Sequence, residues 1–225
     1  PKEVYDWLEK LKEYIALTPY PFPIYQVEKG NLGKDILKLK ERKDGTGKYL
    51  LPMIPAYMMD SRGKKSLVGR QCTANYKIQP VIKKIREIAQ IKRGEKEVKV
   101  TQWLGISRDE AHRMKPSRVA FIKHLYPLVD AEITRGHCLE WMKNKGYPQP
   151  IRSACTFCPF KSDQEWVDMN KEEFNGVVEL EKKLHKLAEY SPYKSKDKFY
   201  IHPDCVPLDE VHFDVNKSLD LFGNE

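Results

Sequence analysis

Cys155 and Cys158 stand two residues apart in Ser153-Ala154-Cys155-Thr156-Phe157-Cys158-Pro159-Phe160. Two thiolates at that spacing can turn onto one metal ion or cluster, and a following proline helps fix the turn. In a reducing compartment the same pair also fits a redox dithiol, half of a zinc site, or two of four cluster ligands. Cys138 lies earlier on a helical stretch and Cys72 sits in Arg70-Gln71-Cys72-Thr73, so four thiolates are at hand. Their spacing matches no zinc-ribbon pattern. The plain alternative is structural, because free cysteine often serves as a small core residue. Cys205 is a reserve fourth ligand.

A second group of residues suits anions. Ser107, Asp109, Glu110 and Arg113 follow the stretch Val98 to Ile106, which is rich in β-branched and aromatic residues and reads as a strand ending in Gly105-Ile106-Ser107. In open α/β sheets the loops at the carboxyl ends of strands form the ligand crevice. Asp109 and Glu110 also suit the opening of a helix, where acids complement the macrodipole. Arg70 can pair with phosphate through a bidentate fork and Lys77 as a point charge, although both are ordinary as solvated surface. From Ser61 to Arg86 there is no acidic residue, while Arg62, Lys64, Lys65, Arg70, Lys77, Lys83, Lys84 and Arg86 are basic. That run is either a solvated face or a surface for phosphate or nucleic acid. His112, His124, His137 and His202 lie at no spacing that suggests a ligand pair or a base. Trp103, Trp141 and Trp166 read as core residues rather than stacking platforms.

The elements that must position these groups alternate between helix and strand. Val4, Leu8, Leu11 and Ile15 predict a helix from Lys2 to about Leu17, closed by Pro19, Pro21 and Pro23. Ile24 to Val27 reads as a short buried strand. Asn31 caps an expected helix to about Arg42, followed by a mobile loop with Asp44, Gly45 and Gly47. A helix over about Ile78 to Ile91 carries Pro80 in its first turn. Thr134 caps a helix with Cys138 and Trp141 that stops at Gly146. Ser162 and Glu165 form a capping box, and Leu180, Leu184 and Leu187 continue helically to about Tyr190. From about Asn216 the sequence reads as a tail.

The 225 residues suffice for an ordinary buried core, with 40% hydrophobic and 32% charged residues. No apolar run approaches the roughly 20 residues needed to span a bilayer, and the first residues do not resemble a signal peptide. A net charge of +8 and an isoelectric point near 9.1 suit a polyanionic partner. Five cysteines, an odd number, argue against a disulfide scaffold and for a reducing, cytoplasmic setting.

An ordered series of motifs resembles one family. Arg70-Gln71-Cys72-Thr73, Tyr76-Lys77-Ile78 with Pro80, Trp103-Leu104-Gly105-Ile106-Ser107 with Asp109-Glu110, and Arg113-Met114-Lys115-Pro116-Ser117 look like the PAPS reductase-like proteins of phages and bacteria, within the PP-loop ATP pyrophosphatase superfamily. Tyr126-Pro127-Leu128, Thr134-Arg135, Cys138, Trp141, Gly146-Tyr147-Pro148, the Cys155–Cys158 block, Glu165-Trp166, Pro207-Leu208 and Glu210-Val211 follow in the same order.

The resemblance implies an α/β fold, with an open, mostly parallel sheet and flanking helices of the adenine nucleotide alpha hydrolase-like kind, plus a C-terminal helical cysteine-bearing region. It implies an incomplete nucleotide-binding domain over residues 1–130, a cysteine region over 131–215 and a tail over 216–225. It further implies a 4Fe–4S cluster on Cys72, Cys138, Cys155 and Cys158, with zinc as the alternative. ATP or a related adenine nucleotide is expected near Arg70, Lys77, Ser107, Asp109, Glu110 and Arg113. The implied chemistry is ATP-dependent activation or sulfur modification of a nucleic acid or nucleotide. The alternative is a non-catalytic nucleic-acid-binding module with a structural cluster.

Two departures qualify this. The matched blocks lie after the family's phosphate-cradling PP-loop, so a preceding segment or a partner chain is expected to supply it. His202-Pro203-Asp204-Cys205-Val206 does not match the Glu-Cys-Gly-Leu-His type of tail with which sulfonucleotide reductases attack sulfonate, which argues against sulfate reduction.

Overall fold

The computed structural model describes residues 2–50, 53–60, 62–150, 152–191 and 198–215. In chain order it contains α1 (Lys2–Ala16), α2 (Leu32–Asp35), β1 (Leu39–Glu41), β2 (Lys48–Leu50), β3 (Tyr57–Met59) and β4 (Lys65–Leu67). A π-helical turn (Thr73–Ile78) leads into α3 (Gln79–Ile88), followed by β5 (Val100–Trp103), a 3-10 segment (Arg108–Arg113) and β6 (Ile122–Leu125). The remaining helices are α4 (Pro127–Asp130), α5 (Arg135–Asn144), α6 (Asp163–Val167) and α7 (Lys171–Lys186), with short 3-10 turns at Ala188–Tyr190 and Leu208–Glu210. β1 with β2 and β3 with β4 form antiparallel hairpins, and β5 pairs with β6 in parallel. Of the mostly parallel sheet expected from the sequence, the described residues contain this one parallel pair.

The chain divides into two compact units, each discontinuous in sequence: Glu28–Pro80 with the described residues from Ser153 onward, and Lys2–Val27 with Val81–Arg152. In the first unit each three-residue strand contributes little apolar area, so the hairpins depend on a shared core. Ile36, Leu50, Ile54, Ala56, Met58, Val68, Leu184 and Phe199 form it. A second cluster joins Trp166, Val177 and Val178 to Ile201 and Leu208, and Phe157 of the Cys-x-x-Cys turn packs against both. α7 buries Val177, Val178, Glu181 and Leu184, one face of a helix. Asn170 caps its start, Glu172 and Glu173 fill its first turn, and Lys183 and Lys186 its last, each sign matched to the macrodipole.

Two buried polar staples hold the C-terminal segment to these helices. The Glu181 carboxylate, 1% exposed, accepts the Ile201 N–H at 2.8 Å and the Leu208 N–H at 2.6 Å. His202 Nδ1 accepts the Asp204 N–H at 3.3 Å, so its proton sits on Nε2, 3.1 Å from Asp163 Oδ1. The other Asp163 oxygen accepts the Asp214 N–H at 2.7 Å. His202 thus ties Asp163 to the turn at Asp204.

In the second unit Phe121 and Ile122 are buried at the start of β6, and the Arg86 guanidinium lies 4.6 Å from the Phe121 ring. Trp7 Nε1 donates to the Pro148 carbonyl at 3.2 Å, Tyr14 meets Tyr147 at 4.9 Å, and Trp141 stacks on Tyr147 at 5.6 Å.

Several expectations change. Residues 24–27 are irregular rather than a strand. Asn31 does cap a helix, but α2 ends after one turn because Leu39–Glu41 pairs with Lys48–Leu50 around the Asp44-Gly45-Thr46-Gly47 turn. The strand expected over Val98 to Ile106 is confined to β5, where β6 offers a partner. Trp166 is buried as expected, whereas Trp103 is 72% and Trp141 55% exposed. The Trp141 ring is covered on one side by Tyr147 instead of being taken into a core. The expected tail over 216–225 lies outside the described residues.

Candidate metal centre

Cys72 immediately precedes the π-helical turn. Its N–H and that of Gln71 donate to the Met53 carbonyl at 2.7 and 3.2 Å, which pins it beside the segment leading into β3. On the same turn the Tyr76 hydroxyl donates to the Asp35 carboxylate at the end of α2. Burial and that carboxylate push the Tyr76 phenol up to about 12. The hydrogen bonds from Lys38 and Tyr76 hold Asp35 below the usual carboxylate range. π-Helical turns are uncommon and concentrate near functional sites.

The Cys-x-x-Cys segment forms a tight turn, with the Cys158 N–H donating to the Cys155 carbonyl at 3.0 Å and the Lys161 N–H to the Cys158 carbonyl at 3.2 Å. Pro159 is buried, and the Lys161 ammonium sits 5.7 Å from the Trp166 ring. Phe157 anchors the turn in the core; a Cβ on Gly33 would stand 3.3 Å from its ring, so only glycine leaves the ring its full room. Ser162 then opens α6 with the expected capping box.

Burial pushes the Cys155 thiol up. The Lys77 ammonium pulls it back, while the Cys158 and Cys72 sulfurs push it further up. Cys72, distant in sequence, and Cys158, its neighbour in the Cys-x-x-Cys turn, therefore both act on the Cys155 thiol, as does Lys77. Tyr57 extends the group: burial raises its phenol, and the nearby Cys158 and Cys205 sulfurs act in the same direction. Cys205 is 2% exposed and adopts φ +59°, a left-handed conformation that costs energy for any residue with a Cβ. Its thiol contacts the Pro203 carbonyl at 3.7 Å. Thiols held protonated by burial are poor nucleophiles, whereas a soft metal displaces the proton on binding. Among the described residues no three His, Cys, Asp or Glu side chains already form a ligand set for a metal ion.

Of the predicted ligands, Cys72, Cys155 and Cys158 belong to the first unit, and Cys138 lies on α5 of the second, half buried. The Arg70 guanidinium lies 5.6 Å from the Phe160 ring, beside the cysteine turn, and Lys77 projects from the π-helical turn. Ser107, Asp109, Glu110 and Arg113 lie past the carboxyl end of β5, whose last residue, Trp103, pairs with Leu125 at the end of β6. There Asp109 accepts the Arg135 N–H at 3.0 Å, which ties the segment to the start of α5. Hydrogen bonds from buried Ser107 and from Arg135 keep the Asp109 carboxyl below its usual range. Glu110 pairs with Arg113. The participation of Tyr57 and the Tyr76–Asp35 bond had no local sequence signal, since both arise from pairing across distant segments.

The chain matches no known family model, no curated protein and no solved structure. No helix among the described residues is long and apolar enough to cross a membrane.

Proposed function

We propose that this is a nucleotide-dependent protein of the PAPS reductase-like kind, which uses ATP to activate a nucleic acid or nucleotide substrate for sulfur modification and holds a 4Fe–4S cluster on cysteine thiolates. What supports this is the ordered motif series, together with the presence of Cys72, Cys155 and Cys158 in one unit, where Cys158, Cys72 and Lys77 each act on the Cys155 thiol. Soft thiolate donors suit iron–sulfur clusters or zinc, and the ordered motif series favours iron. The fourth ligand is Cys138, as the resemblance implies, or Cys205, which lies beside Tyr57 in the same unit as the other three. A bound cluster supplies electron-transfer or Lewis-acid chemistry at iron.

The chain's own residues have separable roles. Lys77 offsets the negative charge of the thiolates, and Arg70 presents a guanidinium beside the cysteine turn. Asp109 orders the segment beyond β5 by accepting the Arg135 N–H, which leaves Arg113, restrained by Glu110, to meet phosphate. The parallel β5–β6 pair with this segment at its carboxyl end supports an α/β nucleotide-binding fold. The phosphate-cradling loop is expected to precede the matched blocks. Pyrophosphate release from ATP by the full-length protein, with DNA or RNA present, tests the assignment. Turnover that depends on the nucleic acid is expected, and none with any nucleic acid would remove it.

A further inference from the structure

The two hairpins of the first unit share a design that metal binding does not use. At the tip of β1–β2, Asp44 Oδ1 accepts the Thr46 N–H at 3.0 Å and its hydroxyl at 2.7 Å. At the tip of β3–β4, Asp60 Oδ1 accepts the N–H groups of Arg62 and Lys64, both at 2.9 Å. Each hairpin spends an aspartate on its own turn, and those hydrogen bonds keep both carboxyls ionised below their usual range. Besides the exposed Glu41, which stands across the ladder from Lys48, the side chains left around the tips are mostly cations: Lys40, Arg42, Lys43 and Lys48 on one, Arg62, Lys64 and Lys65 on the other, all exposed.

Some of these are engaged. Arg62 pairs with Asp60 at 3.3 Å, Lys65 reaches Asp204 at 4.0 Å, and Arg42 lies 5.8 Å from the Tyr49 ring. Among the described residues no acid pairs with Lys40, Lys43, Lys48 or Lys64. Gly45, Gly47 and Gly63 hold φ of +70°, +141° and +78°, and a Cβ built on any of them would meet nothing within 4 Å. Neither Lys43-Asp44-Gly45-Thr46-Gly47 nor Arg62-Gly63-Lys64 carries a large apolar side chain to enter a bilayer, which favours a phosphate backbone over a lipid surface.

We infer that the two hairpin tips are phosphate-contacting prongs for nucleic acid, with Lys43 and Lys48 on the first and Arg62 and Lys64 on the second. This rests on the proposal that the substrate is a nucleic acid, and it names the surface that grips it. Neutralising phosphates with lysine or arginine releases counterions, so each contact contributes about 0.9 to the salt slope on duplex DNA and about 0.7 on a single strand.

The test is fluorescence anisotropy with a labelled single-stranded oligonucleotide and its duplex, titrated with the full-length protein across a salt series without ATP. Lys43→Gln/Lys48→Gln and Arg62→Gln/Lys64→Gln are each expected to weaken binding at least about tenfold at low salt and to lower the slope by about 1.4 to 1.8. Lys143→Gln/Lys145→Gln, which removes the same charge from the second unit, should leave both unchanged. Equal losses in that control, a shallow slope for the unaltered protein, or displacement of the oligonucleotide by anionic lipid vesicles would each overturn the prongs. Because the readout needs no nucleotide, the two claims fail separately. Salt-steep binding lost in the hairpin variants, without pyrophosphate release, would remove the enzymatic assignment and leave the prongs. Nucleic-acid-dependent release that survives in the hairpin variants would do the reverse.

Discussion

At Cys155 burial keeps the proton on sulfur while Lys77 draws it off, so the free thiol is a poor nucleophile, and a metal that binds it must displace that proton. Cys155→Ser and Cys158→Ser should each abolish visible absorbance in anaerobically purified protein. Loss in Cys138→Ser with retention in Cys205→Ser assigns the fourth ligand to Cys138, and the reverse assigns it to Cys205. His185 gives a separate pH prediction. Its Nε2 is buried with no hydrogen-bond partner among the described residues, and burial lowers its pKa from the ordinary 6.5. The unfolded chain therefore takes up a proton below about pH 6.5 that the folded state refuses, so stability is lost as pH falls through that value toward the folded pKa. Urea midpoints measured from pH 7.5 to 5.5 should fall less steeply in His185→Gln. The cysteines were legible in the sequence because thiols are few and chemically distinct. The place of Cys205 beside Tyr57 was not, because it depends on Tyr57 and Tyr200 exchanging backbone hydrogen bonds across a long stretch of chain.

Among the elements, the helix starts were the most readable, since a cap is a short-range arrangement of one side chain and the N–H groups just after it. Asn31, Thr134 and Ser162 all act as expected. Ser162→Ala should cost about 1 kcal/mol, read as a shift in denaturant midpoint. The hairpins were not readable: strands of three residues carrying Lys40, Lys48 and Lys65 show no alternation long enough to separate strand from polar loop. Nor was Glu181 on α7, whose carboxylate accepts the Ile201 and Leu208 N–H groups. Glu181→Ala strands two buried donors and should destabilise the protein by about 2 to 5 kcal/mol in equilibrium unfolding. Glu181→Gln keeps one acceptor oxygen and should cost less.

At the scale of the whole molecule, both units are assembled from separated stretches of chain, an organisation that periodicity read along the sequence does not reveal. The acid-free stretch from Ser61 to Arg86 shows the same effect. Folding brings Lys65 near Asp204, pairs Lys84 with Glu87 and sets Lys77 beside Cys155, so a single basic run is put to several uses. The central claim is that Cys72, Cys155 and Cys158, with a fourth thiolate, hold an iron–sulfur cluster. The most direct measurement is anaerobic purification followed by iron, zinc and acid-labile sulfide analysis with a visible spectrum. The account predicts a brown protein with broad absorbance near about 400 nm and about four iron and four sulfide per chain. A colourless protein carrying one equivalent of zinc, or no metal, would contradict it.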